Sequence, residues 1–568
     1  MEAELPGFLS GPAKKDRPGI LPRFTSVASD ARIDFTFFSD IVPDRYLLPE
    51  IMGGGAAWFD FDVDGWLDLY LMNGCPLELA NAEQPEPATS SFLNRLFRNR
   101  GDGRFAEVCR AASCSQDAVT GDRYGQGVAV GDYNADGFPD LYLANYGPNV
   151  LLCNNGDGTF SDVTATAQVT DELWSTSPLW MDLNADGQLD LYVVNYLLVT
   201  RENTTVCKYD GVLGYCGPGS YEAAPDRVFI SQGDGSFVES AEEFGLGTSG
   251  GKGLAIAALD FDNDLKAEIY VANDMMQNFL FTRSDADGTD PSNRSVRYTN
   301  VAIEAGCAVS GSGVNEASMG VACGDFDGDQ LPDIFVTHYY SHKNTLYHNL
   351  GNLVFHDDSH RTRIAATSYE TLGFGTVAFD YDRDRATDLF VANGHVLGPK
   401  HSPDAMPPQL LRNDGKGRFV DISEFSGPYF QKLWLGRGAA GGDYDNDGDL
   451  DLLVTHVGQP VALLRNDTPT ARHWIGIDLS PPDRQVPLGG RVVVTAGGQS
   501  TTLPVVAGGS YLCHSDRRLL FGLGDHNETV TVEVYWPSGR LDAFSDVSID
   551  CYWRVAEGQS PKRLVSSI

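Results

Sequence analysis

The chain has 568 residues, 62 of them glycine, with 42% hydrophobic and 11% aromatic content and a formal charge of −37 at pH 7. That apolar content argues against disorder, the acidity argues against binding nucleic acid or anionic membranes, and the length suits a repeat array better than one ordinary domain. No run of 18 apolar residues is present, so no membrane-spanning helix is expected, and Met1 to Pro22 has no apolar core of the kind a signal peptide needs.

From Asp60 onward one motif recurs. Acidic or amide side chains stand at positions one, three and five, and an acid stands at position nine, directly before a short apolar run. Loop one is Asp60, Asp62, Asp64, Asp68; loop two Asp132, Asn134, Asp136, Asp140; loop three Asp182, Asn184, Asp186, Asp190. Loop four is Asp260, Asp262, Asp264, Glu268; loop five Asp325, Asp327, Asp329, Asp333; loop six Asp380, Asp382, Asp384, Asp388; loop seven Asp443, Asp445, Asp447, Asp451. Loop starts are 50 to 78 residues apart. Oxygen side chains at alternate positions with a sharp turn wrap one hard cation, and four close carboxylates repel one another without one. Calcium is therefore expected, up to seven ions. Loops one, two, three and seven have glycine at position six, whereas Leu265, Gln330 and Arg385 stand there in loops four, five and six. A side chain held left-handed costs about 1 kcal/mol, so loop four, then loop six, are expected to bind weakest.

Each loop has the same surroundings. A glycine- and alanine-rich stretch precedes it, as at Gly125 to Gly131, which suits a strand crowded at a central axis. An apolar strand follows, then a third strand, a Gly-Asp-Gly hairpin signal and a fourth strand opening on an aromatic residue such as Phe105 or Phe160. Four strands per repeat and seven repeats predict an all-β, seven-bladed β-propeller over residues 23–467. The fourth-strand signature is absent after repeat seven and appears instead at Phe24-Thr25-Ser26-Val27, so the N-terminal strand is expected to close blade seven. Residues 1–22 form an N-terminal extension. After a linker at Thr468 to Arg472, residues 473–558 read as a small β-domain with strands at Ile475 to Leu479, Arg491 to Thr495 and Val530 to Tyr535, followed by a tail over 559–568.

Blade topology places the acidic loops on one face. It places most long insertions, at Gly74 to Asn94, Leu197 to Asp226 and Gly394 to Gln409, on the other, the decorated face; a further insertion at Ser284 to Val296 falls on the acidic-loop side. Five residues past each loop's last acid stand Asn73, Asn145, Asn195, Asn273, His338, Asn393 and His456, a ring at the decorated face. They read either as a polar collar for a ligand or as caps of neighbouring turns, which Asn commonly provides. His338, His456 and His395 are the candidates for proton transfer or a transition metal. Arg100-Gly101-Asp102 falls in a hairpin slot and reads as a by-product of the repeat. The spacings of Cys207 with Cys216 and of Cys109 with Cys114 permit disulfides or free thiols, and Asn203, Asn293, Asn466 and Asn527 are sequons. No nucleophile elbow, phosphate loop or zinc motif is present.

The repeats resemble the FG-GAP or VCBS repeats of integrin α-subunits. The tail, through Leu488-Gly489-Gly490-Arg491-Val492, Phe521 to Gly524 and Val534-Tyr535-Trp536-Pro537-Ser538-Gly539, resembles the ASPIC/UnbV domain. The combination is similar to bacterial UnbV-type proteins and animal cartilage acidic proteins. It implies calcium in the loops and an exported protein, extracellular or periplasmic, although the lack of a visible leader leaves a cytoplasmic location open. The function expected is a binding or scaffold protein presenting the decorated face to a protein or glycan. The alternative, from similarity to proteins of enediyne gene sets, is an enzyme or accessory factor of secondary metabolism with a small molecule at the channel mouth.

Overall fold

A computed structural model describes residues 19–77, 92–108, 123–247, 250–285, 296–398, 400–479 and 486–564. Four sequence readings fall wholly or largely outside those residues: the N-terminal extension over 1–22, the Cys109–Cys114 pair, the Asn293 sequon and the insertions at Gly74 to Asn94 and Ser284 to Val296.

Seven antiparallel sheets follow one another along the chain. Sheet one is Ala56–Phe59, Asp68–Leu71, Arg95–Asn99 and Phe105–Glu107. Sheet two is Tyr124–Gly131, Asp140–Tyr146, Val150–Asn154 and Phe160–Asp162; sheet three is Ser175–Met181, Asp190–Asn195, Arg227–Ser231 and Phe237–Glu239. Sheet four is Gly253–Leu259, Glu268–Asn273, Phe279–Asp285 and Val296–Asn300. Sheet five is Ser318–Gly324, Asp333–His338, Thr345–Asn349 and Phe355–Asp357; sheet six is Gly373–Phe379, Asp388–Asn393, Gln409–Asn413 and Phe419–Asp421. Sheet seven has Gly436–Gly442, Asp451–His456 and Ala462–Asn466, and its fourth strand is Phe24–Ser26 from the other end of the chain, with Phe24 opposite Asn466.

The first strands of successive sheets pack side by side, and that of sheet seven packs against that of sheet one. The acidic loops connect first and second strands. Apolar side chains fill the spaces between sheets, as where Trp58 stacks on Tyr444 and Trp180 on Tyr133. The small residues are needed where backbones meet. A Cβ on Gly320 would lie 2.1 Å from the Phe374 carbonyl oxygen, and one on Gly127 would lie 2.0 Å from that of Thr176.

The C-terminal region folds as two sheets around their own apolar core, which includes Ile475, Val492, Phe521, Val534 and Trp536. One sheet orders Leu519–Gly524, His473–Leu479, Tyr552–Val555 and Lys562–Arg563, with the middle pair parallel. The other orders Gln499–Pro504, Arg491–Ala496, Val530–Tyr535 and Leu541–Val547. This domain sits on the acidic-loop face. Trp474 covers Gly448 so closely that a Cβ there would lie 2.0 Å from the indole. The Tyr552 hydroxyl donates to Asp443 Oδ2 at 2.6 Å, and the Arg518 guanidinium donates to the Asp443 carbonyl at 2.7 Å. From this domain a segment enters the channel between the seven first strands. Ala507–Gly508 pairs with Ala258 and Ala257 of sheet four as a fifth strand. The Ser510 backbone bridges Val321 of sheet five, and its hydroxyl donates to the Ala439 carbonyl of sheet seven at 2.6 Å. The Leu512 carbonyl accepts from Val128 of sheet two, and the His514 backbone exchanges bonds with Ala56 and Trp58 of sheet one.

Candidate metal centres and the channel

The seven acidic loops share one construction. The first acid accepts backbone N–H groups of later loop residues: Asp60 from Asp64 and Gly65, Asp443 from Asp447 and Gly448, Asp380 from Asp384 and Arg385. The ninth-position acid is buried, at most 3% exposed. One of its oxygens accepts the N–H of loop position two, from Phe61 at 3.0 Å in loop one to Phe261 at 2.9 Å in loop four. In sheets one, two, three, five, six and seven its other oxygen accepts the N–H of the third strand's last residue at 2.7–2.8 Å. The closing acid therefore ties loop to third strand whether or not an ion is bound.

Position six is left-handed in every loop, with φ of 92°, 97°, 87° and 85° at Gly65, Gly137, Gly187 and Gly448, and 68°, 72° and 74° at Leu265, Gln330 and Arg385. Position four is left-handed as well, at Val63, Ala135, Ala185, Asn263, Gly328, Arg383 and Asn446, and no glycine signal marks it in six of the seven.

The donor set fits a hard cation. Ligand-capable oxygens of Asp60, Asp62 and Asp68 lie within 4.8 Å of one another, as do those of Asp260, Asp262 and Glu268, and of Asp380, Asp382 and Asp388. Position three carries the clearest sign: the Oδ1 atoms of Asp62, Asp327, Asp382 and Asp445 are buried and accept no hydrogen bond. A buried carboxylate oxygen without a donor is costly, and a cation is what this set of atoms satisfies. Burial, with the neighbouring carboxylates adding, pushes Asp445 up to about 7, Asp140 to about 8 and Glu268 to about 9. Loops one and six carry their own cations. Arg98 lies 2.6 Å from Asp62, and Arg472 of the linker lies 3.0 Å from Asp382. In loop five His348 lies 3.1 Å from Asp333, whose carboxylate raises the imidazole to about 9.

Of the residues past each loop, the five asparagines and His456 bond carbonyls of neighbouring turns, and His338 does not. All seven are at most 2% exposed. Asn73 accepts from Phe38 and Gly74 and donates to the Leu93 carbonyl; Asn145 donates to Pro148, Asn195 to Pro225, Asn273 to Gln277 and Asn393 to Pro407. His456 bonds Tyr429 and the Pro460 carbonyl, and burial lowers it to about 4. His395 Nδ1 accepts the N–H groups of Val396 and Leu397, and burial holds it at about 4. His338 is 0% exposed, neither ring nitrogen has a partner, and burial lowers it to about 3. The three histidines stand at the strand ends of different sheets, each in its own packed surroundings.

The decorated end of the channel is filled. Met52, Phe37 and Tyr511 pack there in the largest apolar core. The insertion after sheet three's second strand forms a hairpin, Val206–Tyr209 with Val212–Tyr215, clamped by a Cys207–Cys216 disulfide. It reaches the insertion of sheet six, where His401 Nε2 lies 3.0 Å from the Leu213 carbonyl, and Tyr215 donates to buried Glu50 at 2.8 Å. Arg437, 1% exposed, donates to the carbonyls of Ile51, Gly394, Gly436 and His395, so a cation with no carboxylate contact holds this cap together. Arg100-Gly101-Asp102 lies in the turn between sheet one's third and fourth strands.

One set of residues escaped the sequence reading. Asn99, Asn154, Asn349, Asn413 and Asn466 end their third strands, and each donates from Nδ2 to the position-two carbonyl of the preceding sheet's loop: Tyr444, Phe61, Phe261, Phe326 and Tyr381, at 2.7–2.9 Å. These bonds join sheet to sheet on the acidic-loop face. The signal was present in four of the five as an asparagine two residues before the first Gly of the hairpin, at Asn99, Asn154, Asn349 and Asn413; Asn466 is followed instead by Asp467-Thr468.

A family described as an FG-GAP-like repeat matches residues 60–143, 132–193, 325–391 and 380–454, and one described as ASPIC and UnbV matches 483–562. Cartilage acidic protein 1 of Xenopus tropicalis is 25% identical over 452 residues, which are 74% of this chain and 62% of that protein, so this chain spans less than two thirds of that relative's length. The proteins of the same name from Mus musculus and Homo sapiens are each 23% identical, covering 92% of this chain and 74% and 73% of theirs. Among solved structures, a lectin of Agrocybe aegerita that recognises non-reducing terminal N-acetylglucosamine is similar at 13% identity and a TM-score of 0.36, covering 66% of this chain and 87% of the lectin. A Bacillus licheniformis rhamnogalacturonan lyase is similar at 10% and 0.29, covering 74% and 90%. Among the described residues no helix is long and apolar enough to cross a membrane.

Proposed function

We propose that this chain, which carries FG-GAP-like repeats and a C-terminal ASPIC/UnbV domain and is homologous to cartilage acidic protein 1, is an exported, calcium-stabilised binding or scaffold protein built as a seven-bladed β-propeller. Calcium is held by positions one, three, five and nine of each loop, and the ions stiffen the loops without taking part in chemistry. The observation that carries the metal reading is the row of buried, donor-free Oδ1 atoms at position three. The partner, a protein or a glycan, is met by the decorated face, where the disulfide-clamped hairpin exposes Val206 and Val212. Export agrees with that disulfide. The packed residues at the decorated mouth lend no support to an enzyme site there.

The test is metal analysis and calorimetry of the full chain. Several calcium ions per chain and a marked fall in melting temperature in excess chelator are expected. A metal-free protein with an unchanged melting curve after confirmed metal removal would refute the calcium reading. Binding is tested by charge substitutions at Val206 and Val212, which should leave the melting temperature unchanged and weaken partner capture on a glycan or protein array.

A further inference from the structure

On the acidic-loop side, the channel widens beneath the C-terminal domain into a cavity of about 370 Å³. This volume falls within the roughly 300–1,000 Å³ of small-molecule sites, which often lie between domains. Its floor includes Val130, Cys323 and Ala378, the residues two before the first acid in sheets two, five and six. Each is half-buried where the residues on either side in its strand are buried, so these side chains face open space. The same register in sheets one and three is held by Trp58 and Trp180, which also line the cavity. Their indole N–H groups are buried and find no acceptor in the protein.

The roof is the root of the inserted segment. His514 and Arg517 line the cavity there, Arg517 exposed and His514 half-buried. Arg517 has no ion-pair partner among the described residues. The five carboxylates on the wall are otherwise committed: Asp478 with Arg554 at 2.9 Å, Asp516 with Arg518 at 2.7 Å, and Asp60, Asp132 and Asp380 with the backbone of their loops. The chamber thus combines an apolar floor with an uncommitted guanidinium at its mouth.

We propose that this chamber binds a small anionic molecule with an apolar body, its charge on Arg517 and its body over Val130, Cys323 and Ala378. The site lies on the face opposite the proposed partner surface and does not depend on it.

The probe is 1-anilinonaphthalene-8-sulfonate, titrated into the calcium-loaded full chain, with neutral N-phenyl-1-naphthylamine as its uncharged counterpart. A single saturable site with quenching of tryptophan emission is expected. Arg517→Glu should weaken the sulfonate about tenfold or more, the value of a charge-assisted bond, and the neutral probe far less. Cys323→Phe, which fills the floor, should abolish both at unchanged melting temperature. If that variant does not fold, Ala378→Leu, a smaller obstruction of the same floor, decides the matter, because it should weaken both probes. Unsaturable binding, equal loss of both probes in Arg517→Glu, or unchanged binding of both probes in a folded floor variant would each overturn the proposal.

Discussion

Asn413→Ala tests whether the sheets are joined by side-chain amides and not by apolar packing alone. Asn413 is 1% exposed. Its Nδ2 donates to the Phe326 carbonyl of sheet five at 2.7 Å and to the Thr387 carbonyl at 2.9 Å, and its Oδ1 accepts from Gly415 and Gly417. Alanine leaves one buried and one partly buried carbonyl without this donor. At about 1–3 kcal/mol each the loss should be about 2–6 kcal/mol. Asn413→Asp should cost at least as much, because it turns a carboxylate oxygen onto those carbonyls. Sheet three supplies the internal control: Ser231 stands at the same register, and the one hydrogen bond recorded for its hydroxyl is from the Gly233 N–H at 3.2 Å. Ser231→Ala should cost less than about 1 kcal/mol. The assay is urea denaturation with calcium present, paired with hydrogen exchange of the turn at Gly415 to Gly417. A loss in Asn413→Ala no larger than in Ser231→Ala would refute the reasoning.

Asp445→Ala removes one donor-free oxygen set and should lower the calcium count by one, as read by mass spectrometry of the metal-loaded chain. Without metal, stability should fall as pH rises. Asp140, Asp190 and Glu268 have folded pKa values raised by burial to about 8, 7 and 9. Their protonated, folded form is therefore favoured at acid pH, and that advantage is lost as pH climbs from about 4 through those values. Melting curves of the chelated protein between pH 5 and 8 should show the decline, and saturating calcium should flatten it; a chelated protein more stable at pH 8 than at pH 5 contradicts the argument. Gly448→Ala places a Cβ about 2.0 Å from Trp474 at φ 85°, and should free the C-terminal domain to limited proteolysis at Thr468 to Arg472. Gly65→Ala, at φ 92° with nothing within 4 Å, should carry the left-handed strain alone, about 1 kcal/mol in melting experiments.

What the sequence made legible was local. Acidic or amide side chains two apart with an acid at position nine are cation-loop chemistry at short range, so every loop could be placed to the residue, including the three without glycine at position six. Phe24-Thr25-Ser26 was recognisable as the strand missing after Asn466 because it repeats the motif of six others. The left-handed residue at position four was invisible, because Val63, Ala135 and Arg383 carry no turn signature and are held there by the surrounding hydrogen bonds. The residues past the loops were ambiguous in principle. An asparagine that caps a turn and one that meets a ligand look alike until the turn's carbonyls are located, and here those carbonyls are 2.8–3.2 Å from Nδ2.

The inserted segment explains more of the chain than the repeats do alone. The glycines before each loop suggested strands crowded on one another, and some are. Others make room for the C-terminal domain. A Cβ on Gly438 would lie 2.4 Å from the Cys513 sulfur, and one on Gly55 would lie 2.8 Å from the Leu512 carbonyl oxygen. Inner strands of a wide ring leave backbone groups facing a channel, and buried groups of that kind need partners. Val128, Trp58 and Gly441 give their N–H groups to Leu512, His514 and Ser515, so the segment pairs what the repeats leave open. Nothing in Ala507 to Arg518 announces this, since its partners are strands more than 70 residues away with no motif in common. The ASPIC/UnbV domain is in that sense part of the repeat domain's core. It also distinguishes the two faces: the decorated mouth is sealed behind packed side chains, while the acidic-loop face retains the enclosed space.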